Sequence, residues 1–193
     1  FDNTNGANPY GSLMQASDGK LYGMTHDGGK EYGGVIFSFD PVSFGYKKLK
    51  DFDGTNGSGP LGSLMQASDG KLYGMTSNGG GSSKGVIFSF DPSSSAYTKL
   101  KDFGHGETGS NASASLIRAR DGKIYGMTHG GGSSGNGVIF AFDPATSTYK
   151  ELKDLNGSDG GDTYGSLIQA SDGKLYGMTT KDGGRKVGVI FSL

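Results

Sequence analysis

The residues of this chain whose types could carry proton transfer or metal ligation are few. They are His26, His105, His129, Glu31, Glu107, Glu151 and Arg118. Each breaks an otherwise regular pattern, and an array of identical parts does not by itself build one asymmetric catalytic site. No Ser-His-Asp spacing connects them, and there is no Cys for thiol chemistry or Cys-ligated zinc. His26 and His129 hold matching places two repeats apart, so a shared zinc would need a narrow ring mouth; they read as surface histidines. Asp51, Asp53 and Thr55 followed by Gly57 set oxygen donors at alternate positions, as calcium loops do. The glycine comes one place late and no closing bidentate Glu follows, so an Asx-turn network is the better reading. The expectation is a non-enzymatic protein with no cofactor and no metal.

Eighteen Lys and Arg against nineteen Asp and Glu give a formal net charge of -1, which provides no basic surface for nucleic acid. No apolar run approaches the roughly 18–20 residues of a membrane-spanning helix, so no membrane insertion is expected. Gly accounts for 38 of 193 residues, a content that would suggest disorder if it had no period. Here it is periodic.

GSLMQASDGKLYGMT at Gly11–Thr25 returns unchanged at Gly62–Thr76, as ASLIRARDGKIYGMT at Ala114–Thr128 and as GSLIQASDGKLYGMT at Gly165–Thr179. The Asp-Gly pairs begin at Asp18, Asp69, Asp121 and Asp172, so the steps are 51, 52 and 51 residues. A GVIFSFDP-type block follows each copy, truncated to GVIFSL at Gly188, and a YKKLKDF-type block closes the first three units. A period near 50 signals a solenoid, a propeller or an array.

Within a unit, Leu13–Ala16 runs into Ser17-Asp18-Gly19, which predicts a two-residue hairpin into a second strand, Lys20–Thr25. A glycine-rich segment, 26–34, leads to a third strand, Val35–Asp40. Asp40-Pro41 starts a turn into a fourth strand, Tyr46–Phe52, whose lysines suit a free edge. Strands two and three carry apolar residues on both faces, so both faces must be covered by neighbouring units. The predicted fold is all-β: one β-propeller domain over residues 1–193, built from four antiparallel four-stranded blades. The units span about 1–52, 53–103, 104–155 and 156–193, and the last lacks its fourth strand.

Gly-Gly after strand two and Phe-Asp-Pro after strand three resemble a kelch-type blade. The whole unit resembles more closely a family of secreted bacterial proteins built from GloVer-type (choice-of-anchor) tandem repeats. The matching blocks are the D-G-K-L-Y-G-x-T segment, found in all four units with Ile for Leu in the third, and the G-x-I-F-x-x-D-P segment, truncated in the fourth. The resemblance implies an exported bacterial protein, secreted or at the cell surface and often long with a separate anchor. The chain therefore reads as a processed product or an excerpt. Asn56-Gly57-Ser58, Asn111-Ala112-Ser113 and Asn156-Gly157-Ser158 have the form of glycosylation sequons but in this setting read as turn residues.

The links between blades and the loops between strands two and three lie on one face and vary between units. Candidate binding residues there are His26, Asp27, Lys30, Glu31, Tyr32, Asn78, Lys84, His105, Glu107, His129, Asn136, Lys181, Asp182 and Arg185. A second group, Gln15, Gln66, Arg118 and Gln169, holds one place on strand one. Those side chains either line a central channel or satisfy nearby backbone. The edge Val189, Ile190 and Phe191 is open to pairing. Two functions follow: a module for binding or adhesion to glycan or surface protein, or a structural subunit of an extracellular fibre or oligomer. The second would complete its open blade with a neighbour's strand.

Overall fold

The computed structural model describes residues 1–104, 106–181 and 187–193, and Glu107 by its backbone alone. The first unit comprises β1 (Met14–Gln15), β2 (Leu21–Thr25), β3 (Val35–Asp40) and β4 (Gly45–Asp51), paired antiparallel in that order. The second repeats it with β5 (Met65–Gln66), β6 (Leu72–Met75), β7 (Val86–Asp91) and β8 (Ala96–Asp102). In the third, β10 (Ile117–Arg118), β11 (Ile124–Met127), β13 (Val138–Asp143) and β14 (Thr148–Asp154) form the sheet. The fourth sheet has three strands, β15 (Ile168–Gln169), β16 (Leu175–Met178) and β17 (Ile190–Ser192).

A fifth sheet departs from the expected four. β9 (Gly106–Ser110) pairs with β12 (Gly130–Gly132) as a two-stranded ribbon. In the other units the same link and loop meet, among the described residues, at single bridges, Ala7 with Asp27, Ser58 with Asn78 and Gly161 with Lys181. The link into the third unit is one residue longer, which accounts for the 52-residue step. That extra length lets the bridge extend into a ribbon.

The Asp-Gly turn also differs from expectation. Only Gly19 has positive φ (83°), whereas a two-residue hairpin of the anticipated kind needs it at both positions. Ala16 N–H donates to Lys20 O and Gly19 N–H to Ala16 O, which makes a three-residue turn. Asp18 is freed to act as an acceptor, from Lys20 N–H at 3.1 Å and Tyr22 O–H at 2.8 Å. Tyr73 on Asp69, Tyr125 on Asp121 and Tyr176 on Asp172 repeat this staple. Burial first, and then the carboxylate, push the Tyr22 hydroxyl well above its usual pKa.

The core lies between sheets. Met24 and Ile36 on the back of the first unit pack with Leu64, Leu72, Phe88 and Phe90 on the front of the second. Met75 and Ile87 meet Leu116, Ile124, Phe140 and Phe142 of the third unit in the same way. Met127 and Ile139 then meet Leu167, with Phe191 packed alongside. The first residue of each link plugs the junction: the Phe52 ring lies 5.4 Å from Phe88 and 6.1 Å from Tyr97. A bulge recurs where Ile36/Phe37, Ile87/Phe88 and Ile139/Phe140 face the fourth strand, and in the first two units the skipped Leu49 and Leu100 pack against these cores.

The array does not close into a ring. Leu64, Leu116 and Leu167 are almost fully buried, but their counterpart Leu13 is 53% exposed. Met24, Met75 and Met127 are buried, and Met178 is 59% exposed. The expected closed propeller is therefore corrected to an open row of stacked antiparallel sheets. With one sheet a strand short, no second sheet lies against the front of the first unit or the back of the last among the described residues, and Phe1 packs on that front.

Several carboxylates are tied into this scaffold. Burial alone would raise the pKa of Asp102, but Gly81 N–H, Lys99 and Lys101 together hold it below its usual value; Asp51 behaves likewise with Lys48 and Lys30 N–H. Asp91, bonded to Ser93 and Ser94, is lowered to about 2. A carboxyl depressed in the folded state stabilises above its unfolded pKa and loses that contribution as pH falls through the folded value. The urea midpoint is expected to be level above about pH 5 and to drop between about pH 4 and 2. A midpoint that rose on acidification would contradict these assignments.

Candidate binding face

Link and loop are joined through main-chain atoms. Gly59 N–H donates to Gly33 O, Asn111 N–H to Lys84 O and Asp162 N–H to Asn136 O, so each loop holds the link of the next unit. Lys84 and Asn136 therefore serve the scaffold through their carbonyls, and their side chains are free to differ between units. In the first three units each loop is in turn held by the aspartate that ends strand four: Lys30 N–H donates to Asp51, Gly81 N–H to Asp102 and Ser133 N–H to Asp154. That is the reason for Gly-Gly. Gly29 has φ of 80°, and a Cβ on it would sit 2.6 Å from Asp51 Oδ1.

On this frame two clusters stand out. In the first unit His26 Nδ1 lies 2.9 Å from Asp27 Oδ1, and Asn8 Nδ2 donates to Asp27 Oδ2 at 2.8 Å. Tyr10 meets the His26 ring edge-on at 5.5 Å and is largely exposed. The Asn8 amide, and after it His26, hold the Asp27 carboxyl below its usual pKa against a burial penalty. Between the third and fourth units, His129 Nε2 and the Tyr164 hydroxyl are 2.9 Å apart, with ring centroids at 4.8 Å. Asp162 Oδ1 lies 3.7 Å from His129 Nε2, and Lys181 pairs with the other oxygen of Asp162. Each cluster offers an exposed phenol ring for stacking beside a carboxylate that accepts hydrogen bonds.

Lys30, Glu31 and Tyr32 form an exposed corner, with Tyr32 held at φ of 55°. Asn78 is exposed, and its side chain donates to Ser77 Oγ at 2.9 Å. His105, Asp182 and Arg185, with the side chain of Glu107, lie outside the described residues. Asn8, Tyr10, Asp162 and Tyr164 were not anticipated. Their signal was available: aligned links read Asn8, Gly59, Asn111, Asp162 and Tyr10, Leu61, Ser113, Tyr164, the same breaking of the repeat that marks the loops.

Among the described residues no three His, Asp or Glu side chains converge on a metal-sized site. The Asp53 carboxylate accepts Thr55 Oγ1, Asn56 N–H and Asn56 Nδ2 at 2.8–2.9 Å, an Asx-turn network. Gln15, Gln66 and Gln169 each donate to the carbonyl of their own turn glycine. Gln66 Oε1 accepts Ser17 N–H from the preceding unit, and Gln169 accepts Arg120 N–H. At the middle junction the acceptor is replaced by Arg118, which has only donors. Arg118→Gln is expected to add the missing rung and raise stability by about 0.5–1 kcal/mol. Chemical denaturation checks it, and a loss of stability would count against the rung.

A second ladder, unforeseen from the sequence, runs along the strand-one side. Ser12 N–H donates to Ser63 Oγ, Ser63 N–H to Ser115 Oγ and Ser115 N–H to Ser166 Oγ, at 2.8–2.9 Å.

The Gloeobacter/Verrucomicrobia repeat model matches residues 1–116 and again 62–193, which together take in the whole chain. The chain belongs to the Gloeobacter/Verrucomicrobia repeat family. Solved structures share the fold at low identity, and they include propeller-like folds. The extracellular domain of a putative one component system, BT4673, from B. thetaiotaomicron matches 93% of this chain and 21% of its own, with 11% identity and a TM-score of 0.61. TolB from Acinetobacter baumannii matches 93% of this chain and 42% of its own, at 16% and 0.57. A chain of a Nidogen/Laminin complex matches at 14% and 0.61, over 95% of this chain and 60% of its own. This family member thus spans less than two thirds of each of those chains. No curated protein matches the sequence. Structures similar to this Gloeobacter/Verrucomicrobia repeat chain include extracellular domains, and among its described residues no helix is long and apolar enough to cross a membrane.

Proposed function

We propose that this chain is a non-enzymatic, secreted or cell-surface repeat module that binds glycan or surface protein through its link-and-loop face. The observation that carries the reading is the pair of exposed tyrosines on that face, Tyr10 and Tyr164. Each ring rests on a histidine beside a carboxylate, Asp27 hydrogen-bonded by Asn8 and Asp162 ion-paired with Lys181. A phenol ring offers a flat surface to the C–H face of a sugar, and a carboxylate accepts its hydroxyl protons. The backbone-to-backbone attachment of the loops supports the same reading, since it leaves their side chains free to specialise. In this reading the units are kelch-like propeller blades, and their stacked row is a scaffold for these loops.

The test is retention on a panel of immobilised neutral and acidic polysaccharides. Tyr10→Ala combined with Tyr164→Ala is expected to weaken retention at least about tenfold with the unfolding curve unchanged. Replacing Lys30-Glu31-Tyr32 by glycine and serine maps the corner between them. Retention that survives both changes sinks the reading.

A second reading, an extracellular structural subunit, rests on the fourth sheet, where β17 occupies the edge that a fourth strand covers elsewhere. Charged substitutions at Val189 and Phe191 should dissolve assemblies built by strand addition at Val189–Phe191.

A further inference from the structure

We propose that the junction between the first and second units binds the carboxylate of an acidic sugar, held by His26 and Asn78 above Gly59. The inference rests on the glycan-binding reading and names the class of sugar. The junction between the third and fourth units shows the same arrangement filled by an acid of the chain's own. There His129, on the earlier loop, places Nε2 3.7 Å from Asp162 Oδ1, and Lys181, on the later loop, pairs with the other oxygen. His26 is the counterpart of His129. Asn78 is that of Lys181, since the bridges Ser58 with Asn78 and Gly161 with Lys181 are equivalent. Asp162 therefore falls at Gly59. Both residues are left-handed, with φ of 53° and 60°, so a side chain at either would leave the link in the same direction. A Cβ on Gly59 would meet His26 Nε2 at 3.0 Å, Asn78 Nδ2 at 3.1 Å and Ser77 Oγ at 3.2 Å. The first junction keeps the histidine and a second donor and lacks the acid.

The donors are placed to serve a ligand. Among the described residues the polar contact of His26 is made by Nδ1, 2.9 Å from Asp27 Oδ1, which leaves Nε2 for the ligand. Asn78 gives one amide hydrogen to Ser77 Oγ and has a second. Ser77 Oγ donates to Gly59 O at 2.6 Å and so fixes the floor of the site. Tyr10 meets the same imidazole edge-on, which sets a stacking surface for the sugar ring beside its carboxylate. The middle junction has Ser77, Asn111 and Gly130 in these places and offers no cation. With Nδ1 turned to Asp27, Nε2–H donates in the imidazolium form, so binding is stronger at mildly acid than at mildly alkaline pH. Asp27 on its own loop and Tyr10 on the first link are the ionisable groups against the ring. The second unit meets it at Gly59, beside Ser77 and Asn78, none of which ionises.

Retention on immobilised polygalacturonate, compared with its methyl ester, tests the proposal, because the ester keeps the sugar and removes the charge. The parent is expected to bind the acid form at least about tenfold more tightly. Gly59→Asp places the chain's own carboxylate in the site, as Asp162 does, and is expected to abolish that preference; Asp accepts the left-handed region. His26→Ala, at a side chain 28% exposed, removes the cation and is expected to do the same, so the test stands even if Gly59→Asp does not fold. Asp162→Gly is the reverse change. It releases His129 and Lys181 from Asp162 and is expected to raise retention on the acid form about tenfold. Equal retention on acid and ester overturns the proposal, as does a preference that survives folded Gly59→Asp or His26→Ala, or that Asp162→Gly leaves unchanged. No retention on polygalacturonate overturns it too, and retention on neutral polysaccharides then decides separately whether the broader glycan reading falls with it.

Discussion

Phe52→Ala is expected to lower the unfolding free energy by about 3–5 kcal/mol. The same substitution at the same place of the repeat, Phe1→Ala, is expected to cost less than about 0.5 kcal/mol in monomeric protein. The Phe52 ring is fully buried between two sheets, where it fills space that no neighbour can collapse into, and its edge meets Phe88. The Phe1 ring makes the same two aromatic contacts but keeps 62% of its surface in water, because no unit covers it. Sequence alone gives the two residues one role; the difference lies in whether a second sheet is present. Urea denaturation of both variants checks this. Equal losses would mean that the plug acts within one unit and that the stacked interface is not the source of stability.

Gly85→Ala is expected to cost at least about 3 kcal/mol and to leave little folded protein. Gly85 has φ of 98°, and a Cβ placed on it would overlap the carbonyl oxygen of Thr76 on the neighbouring strand. Backbone conformation and backbone contact both exclude a side chain, and neither can relax alone, since Gly85 O accepts Phe103 N–H at 2.9 Å. Gly70→Ala is the control: its φ is 80°, but nothing lies within 4 Å, so only the conformational cost of about 1–2 kcal/mol remains. If the two variants melted together, the crowding at Thr76 would not be limiting.

Much of the strand content was legible because the same chemistry occurs four times. Val35–Asp40 was read to the residue, and its apolar positions on both faces already required sheets on either side. The turn was misread because Asp-Gly favours a two-residue hairpin locally; Asp18 instead serves Tyr22 four residues on, a tertiary demand that a dipeptide rule does not contain. Closure was misread for a different reason. A period of 51 residues fixes what each sheet packs against but not the angle between successive sheets, which depends on small backbone offsets at the junctions. The serine ladder escaped notice because Ser12 was invariant among the units and polar, and so read as background. On the binding face the loops drew attention and the links did not, although Tyr10 and Tyr164 depart from the repeat as plainly as His26 and His129 do.

The one-way run of serine rungs has a consequence for the gene as well as for the protein. Donor and acceptor are carried by every unit in the same orientation, so a tandem duplication or deletion of one whole period rejoins a correct donor to a correct acceptor. Recombination between near-identical copies, such as those encoding Gly11–Thr25 and Gly62–Thr76, would produce such changes in whole steps. Each added unit contributes its own junction and asks nothing of distant ones, as in other linear repeats. Copy number can then change by whole units without disturbing the junctions that remain.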